Sequence, residues 1–116
     1  MIFGYDPDYN GGVFNIELLS YDYAEFTFIG WNKDIRRVTK RRVEVSKGEN
    51  SNIRIAVVRR MIALIREQVQ EDFLWDSQRL GYQTLSARPK DNQALEDFLM
   101  KEFFGGAGGP PANPNR

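Results

Sequence analysis

Val13-Phe14-Asn15-Ile16-Glu17-Leu18-Leu19-Ser20-Tyr21, then Asp22, then Tyr23-Ala24-Glu25-Phe26-Thr27-Phe28-Ile29-Gly30-Trp31, is the stretch on which the fold turns. In its first half Phe14, Ile16 and Leu18 alternate with Asn15, Glu17 and Leu19, and in its second Ala24, Phe26 and Phe28 alternate with Glu25, Thr27 and Ile29. A period of two sends successive side chains to opposite faces of an extended chain, so each half reads as a strand. Asp22 lies in the short connection and Asn32-Lys33-Asp34 follows the second strand, turn-forming chemistry that makes a meander the simplest topology.

A third extended run spans about Ile35 to Ser46. Val38 is even-numbered whereas Ile35, Val43 and Val45 are odd, so the apolar phase changes and a bulge or break is expected near Thr39 to Arg41. Lys47-Gly48-Glu49-Asn50 reads as a loop, and Ser51 or Asn52 can cap a helix by accepting from its first-turn amides. Ile55, Val58, Ile62, Ile65, Val69 and Phe73 then recur at steps of three and four, with Met61 and Leu64 widening the stripe. That spacing predicts a long amphipathic helix reaching towards Leu80 and closed by Gly81. Tyr82 to Ala87 reads as a connector. Pro89 and Asp91 introduce a shorter helix with Leu95, Phe98, Leu99 and Phe103 on its apolar face and Gly105 at its end.

The expected fold is therefore α+β: an antiparallel three- to four-stranded sheet followed by a long amphipathic helix and a shorter C-terminal helix, packed on one face. Residues 1–104 are expected to form that single domain. Residues 105–116 hold four glycines, three prolines and two asparagines with almost nothing apolar, and are expected to be a disordered tail.

With 116 residues, of which 41% are hydrophobic, the chain suits one modest core. Cysteine and histidine are both absent, which excludes disulfides, thiolate and histidine metal sites, and the commonest general base. No nucleophile elbow, phosphate-cradling loop or dinucleotide fingerprint occurs, and the carboxylate pairs Glu71/Asp72 and Glu96/Asp97 fall on what read as exposed helix faces. Neither catalysis nor a cofactor is expected. No apolar run approaches the roughly 20 residues of a membrane span and the first residues lack a signal-peptide pattern, so the expected location is the cytoplasm, with no membrane partner.

Sixteen basic and sixteen acidic residues cancel overall, yet their order is uneven. Residues 1–34 carry one base and six acids, residues 35–60 nine bases and two acids, and residues 61–116 six bases and eight acids. The basic middle is densest at Arg36-Arg37-Val38-Thr39-Lys40-Arg41-Arg42, where alternation would send Arg36, Lys40 and Arg42 to one face and Arg37 and Arg41 to the other. Rows of cations can follow a phosphate backbone, and Trp31, Tyr21 and Tyr23 offer stacking surfaces for unpaired bases. The expected function is a small non-enzymatic protein that binds single-stranded nucleic acid through Arg36, Arg37, Lys40, Arg41, Arg42 and Trp31. The same charge segmentation fits an assembly, adaptor or inhibitor protein, such as a viral structural or accessory component, that meets a protein partner or further copies of itself in a homo-oligomer.

A second motif is Asp6-Pro7-Asp8-Tyr9-Asn10-Gly11-Gly12-Val13-Phe14-Asn15-Ile16-Glu17, which matches D-x-[DN]-x-[DN]-G-x5-E. It resembles the calcium loop of EF-hand proteins. The resemblance covers twelve residues and implies Asp6, Asp8, Asn10, the Gly12 carbonyl and Glu17 as calcium ligands, in a calcium-binding module. The plain alternative is a polar Asp-Pro and Asn-Gly turn ahead of a strand, with no metal.

Overall fold

The computed structural model describes residues 2–4, 11–32 and 36–105. In chain order these form β1 (Ile2–Phe3), β2 (Gly11–Leu19), β3 (Tyr23–Asn32), β4 (Arg37–Ser46), α1 (Ile53–Gln68), β5 (Asp72–Ser77), β6 (Gly81–Ser86), a 3-10 turn (Pro89–Asp91) and α2 (Asn92–Phe104). The tail from residue 106 lies outside the described residues.

The alternating stretch forms β2 and β3 as expected, paired antiparallel with Phe14 opposite Phe28 and Ile16 opposite Phe26. β4 extends this meander, pairing Phe26 with Val43 and Ala24 with Val45. Its register runs unbroken from Arg37 to Ser46, contrary to the bulge expected near Thr39. Val38 accounts for the false signal: it is an exposed apolar side chain on the opposite face, 68% accessible, while Val43 and Val45 stay in phase with the core. The register shift lies in β2 instead, between Ile16 and Leu18.

The expectation of an antiparallel three- to four-stranded sheet is overturned. The six strands form one mixed sheet in the order β4-β3-β2-β1-β5-β6, with β1 parallel to both β2 and β5. Three features were invisible in the pattern. β1 is two residues long, too short to show any periodicity, yet Ile2 and Phe3 are each only 1% exposed at the centre of the sheet. The long helix also ends earlier than Leu80. α1 stops at Gln68, with the Val69 amide bonded to the Ile65 carbonyl, and Phe73 belongs to β5, where Phe73 and Trp75 are buried. Tyr82 to Ser86 is likewise strand rather than connector: β5 and β6 form a hairpin whose turn carries Gly81 at φ +77°. Gly81 thus adopts the left-handed conformation anticipated for it, in a hairpin rather than a helix cap.

Both helices cover one face of the sheet. Asn52 caps α1 by accepting from the Ile55 amide at 3.0 Å. Val57, Val58, Met61 and Ile65 of α1 and Leu95 and Leu99 of α2 lie in the same core as Phe3, Phe14, Phe26, Phe73 and Trp75. The aromatic centre is continuous. Phe3 lies 6.0 Å from Phe14, 5.4 Å from Phe73 and 5.8 Å from Trp75, and Trp75 meets Phe98 and Phe103 of α2 edge-on. Such pairs add to the area they bury. Gly105, at φ +82°, closes α2 as expected. Asp91 stands at the N-cap position of that helix, as expected, but its side chain makes no capping hydrogen bond; its carboxylate accepts from the Ser86 hydroxyl, which holds it below the usual carboxylate range. Glu96 is buried rather than exposed, because Arg59 of α1 and Asn92 donate to it.

Candidate nucleic-acid interface

β4 is an edge strand, so one side of its backbone has no strand neighbour within the described sheet. Register with β3 sorts its side chains. Val43 and Val45 point into the helix-covered core, and Arg41, in the same phase, reaches Glu67 of α1 at 3.1 Å. Lys40 and Arg42 therefore occupy the other face, which no described helix covers, opposite Ile29 and Thr27. Arg36 precedes the strand with a left-handed backbone at φ +52°, so the alternation begins at Arg37.

The five bases divide by their partners. Arg41 is paired with Glu67, both about half exposed. Arg42 is paired with Glu25, which also accepts from the Tyr23 hydroxyl at 2.6 Å. That Tyr23 hydrogen bond, with Arg42 second, holds Glu25 below the usual carboxylate range; reciprocally Glu25 pushes the Tyr23 phenol up to about 12. Arg36, Arg37 and Lys40 have no ion-pair partner among the described residues. Among the described residues they are exposed cations without a carboxylate partner, whereas Arg41 and Arg42 each have one.

Of the aromatic residues expected nearby, Trp31 alone lies at this end of the sheet. It is half-buried opposite Val38, and Asn32 is opposite Arg37. Tyr23 pairs with Ser46, eight residues away along β3 or about 26 Å. Tyr21 projects from the tip of the β2–β3 hairpin at that distant end.

A cleft of about 350 Å³ opens beside Arg37, lined by Gly11, Phe28, Gly30, Trp31, Asn32, Arg37, Thr39 and Gln68. It lies within the size range of small-ligand sites and combines an apolar floor with amide and guanidinium groups on its rim. Asn32, Thr39 and Gln68 were not legible as site residues, since Gln68 reaches the cleft from the end of α1. Gly30 carried a signal: a glycine inside a strand marks a place where a side chain would crowd its surroundings. A Cβ there would come within 3.1 Å of the Phe28 ring.

The calcium-loop residues Asp6, Asp8 and Asn10 lie outside the described residues. Gly12 and Glu17 both belong to β2. The Gly12 carbonyl accepts from the Gly4 amide at 2.9 Å, and Glu17, five residues or about 16 Å further along the strand, accepts from the Thr27 hydroxyl. Among the described residues no group of three or more acidic side chains is placed to hold a metal, and no helix is long and apolar enough to cross a membrane. Compared with models of known protein families, with curated proteins and with solved structures, the chain matches none.

Proposed function

We propose that the protein is a non-enzymatic binding protein that takes a single-stranded nucleic acid at the Trp31–Arg37 end of β3 and β4. One observation carries this: Arg36, Arg37 and Lys40 lack ion-pair partners among the described residues, and Arg37 lines a cleft with an apolar floor while Lys40 stands on the opposite face of the same edge strand. Phosphates would meet the three cations, while one unstacked base enters the cleft against Phe28 and Gly30, with the amides of Asn32 and Gln68 at its polar edge. Arg41 and Arg42 take a different role. On an edge strand, charged side chains discourage pairing with a second sheet, and their ion pairs with Glu67 and Glu25 suit that purpose.

A second reading has its own support. The sheet face away from the helices exposes Val38, Leu74 and Tyr82, apolar surface suited to a protein partner. Fluorescence anisotropy of a labelled oligothymidylate at low salt separates the two. Binding is expected, weakened at least about tenfold by Arg37→Ser with Lys40→Ser and by about 1–3 kcal/mol in Trp31→Ala, but unchanged by Arg60→Ser on α1. No binding at low salt, or equal losses in the β4 pair and in Arg60→Ser, would sink the proposal and leave the protein-partner reading in its place.

A further inference from the structure

At the carboxyl end of β1 the chain leaves the sheet through Gly4, at φ +125°. β2 and β5 flank β1 on either side and continue past it, so the sheet parts between them. In sheets with parallel neighbours, crevices outside the carboxyl ends of the strands are recurrent ligand sites. Here the gap is a cleft of about 460 Å³ that reaches from Gly4 and Gly12 to Phe103 of α2.

Its polar wall is rigidly built. Glu102, in the last turn of α2 with its side chain only 10% exposed, accepts from the Trp75 indole, the Ser77 hydroxyl and Arg79 Nε, each at 3.0 Å. Ser77 Oγ in turn accepts the amides of Arg79 and Leu80, which fixes the turn that carries Arg79. The guanidinium also lies over the Phe98 ring at 5.8 Å. Arg79 is thereby immobilised through Nε, its backbone and its flat face, and no described residue accepts from its two terminal nitrogens. A guanidinium held in this way presents a planar fork suited to a carboxylate.

Asp76 lines the same cleft, packed against Gly4 so closely that a Cβ on that glycine would lie 2.5 Å from its own. No hydrogen bond or ion pair engages its carboxylate among the described residues, and none joins it to Arg79. The cleft is lined from both sides of the sheet plane: Arg79 lies on the helix side with Phe14, Trp75 and Phe103, and Asp76, which alternates with Trp75 and Ser77, supplies an anion from the opposite side, three residues away across the β5–β6 turn.

We propose that this cleft binds a small zwitterion with an apolar body, of the hydrophobic amino-acid class, its carboxylate on Arg79 and its ammonium on Asp76. The three donors gathered on the nearly buried Glu102 carboxylate explain why Arg79 stays oriented without ligand. The site shares no lining residue with the cleft beside β4.

Proton–nitrogen correlation spectra provide the test, with phenylalanine, phenylacetate and phenethylamine as probes and the Trp75 indole as reporter. Phenylalanine is expected to shift the Trp75 indole and the Gly12 and Gln78 amides saturably, with a Kd of about 1 mM or tighter. It should bind at least about tenfold more tightly than either single-charge probe, the worth of one charge-assisted hydrogen bond. Arg79→Gln should abolish the phenylacetate response, and Asp76→Asn, which leaves the Glu102 cluster intact, the phenethylamine response. Should Arg79→Gln fail to fold, Asp76→Asn alone still decides, because the proposal requires it to weaken phenylalanine at least about tenfold. Absence of saturable shifts at about 10 mM phenylalanine, or equal affinity for all three probes, would overturn the proposal. Oligothymidylate binding by Asp76→Asn should match that of the unaltered protein, which keeps this result separate from the β4 interface.

Discussion

Replacing Gly11 by Ala strikes at the least expected part of the fold, the insertion of β1 between β2 and β5. Gly11 is the direct partner of Ile2, and a Cβ built on it would lie 1.9 Å from the Ile2 carbonyl oxygen. Non-bonded carbon and oxygen rest at roughly 3.5 Å, so β1 would have to retreat by more than about 1 Å. The obstacle is backbone, with no rotamer to relieve it. Retreat withdraws Phe3 from Phe14, Phe73 and Trp75 and opens the most enclosed part of the core. Complete loss of that packing would cost about 3–5 kcal/mol, as large-to-small core changes do. Against this, Gly→Ala lowers the entropy of the unfolded chain, a gain of only about 0.4–1 kcal/mol. The steric cost wins, and we expect a net destabilisation of about 3 kcal/mol in urea denaturation. Gly48→Ala is the control: it has open space around it but a backbone at φ +56°, so it should lose only about 1–2 kcal/mol. If Gly11→Ala were no more destabilising than Gly48→Ala, β1 would not occupy the centre of the sheet.

Two further outcomes concern the helix phase and the Tyr23–Glu25–Arg42 cluster. Ile62→Ala, at a position buried beneath α1, should cost about 2–5 kcal/mol, whereas Glu67→Ala, which removes a half-exposed ion pair with Arg41, should cost less than about 1 kcal/mol; equal effects in thermal or urea unfolding would mean that the assigned helical face is wrong. In an alkaline absorbance titration, one tyrosine should ionise late, at about 12, and that step should vanish in Tyr23→Phe. Because the folded Tyr23 pKa is raised above the unfolded value, the stability it confers is complete below pH about 10 and is lost as pH rises through the folded value. A Tyr23→Phe variant with an unchanged late step would refute the hydrogen bond to Glu25.

Much of the meander was legible, because Phe14, Ile16, Ala24, Phe26 and Phe28 alternate over spans long enough to exclude a helical period. The cap at Asn52 and the stop at Gly105 were legible for local reasons of the same kind. Phe73 misled because it stands four residues after Val69, a helical step, while also alternating with Asp72 and Leu74; one apolar residue satisfies both periods. β6 offered no row of apolar side chains to read, since Leu85 is its main contribution to the core. Position in the sheet was beyond pattern altogether: a two-residue strand gains its place from partners 9 and 72 residues away, Gly11 and Leu74. For the candidate interface, composition found the basic run, but the division, among the described residues, into ion-paired Arg41 and Arg42 and unpaired Arg36, Arg37 and Lys40 depends on acids brought in from β3 and α1. The Arg79 cleft is built from β2, β5 and α2, and nothing in the local spacing of any of the three announces it.

The salt dependence of oligothymidylate affinity tests the functional account most directly, because its slope counts the cations that meet phosphates. Three contacts, from Arg36, Arg37 and Lys40, should make log affinity fall by about 2 units per unit of log salt, at roughly 0.7 for each contact with a single strand. If Arg41 and Arg42 also gave up their carboxylates to the ligand, the slope would approach about 3.5. We predict a slope near 2 that falls below about 1 in the Arg37→Ser, Lys40→Ser variant; a slope indistinguishable from zero, or one that the double substitution leaves unchanged, would contradict the account.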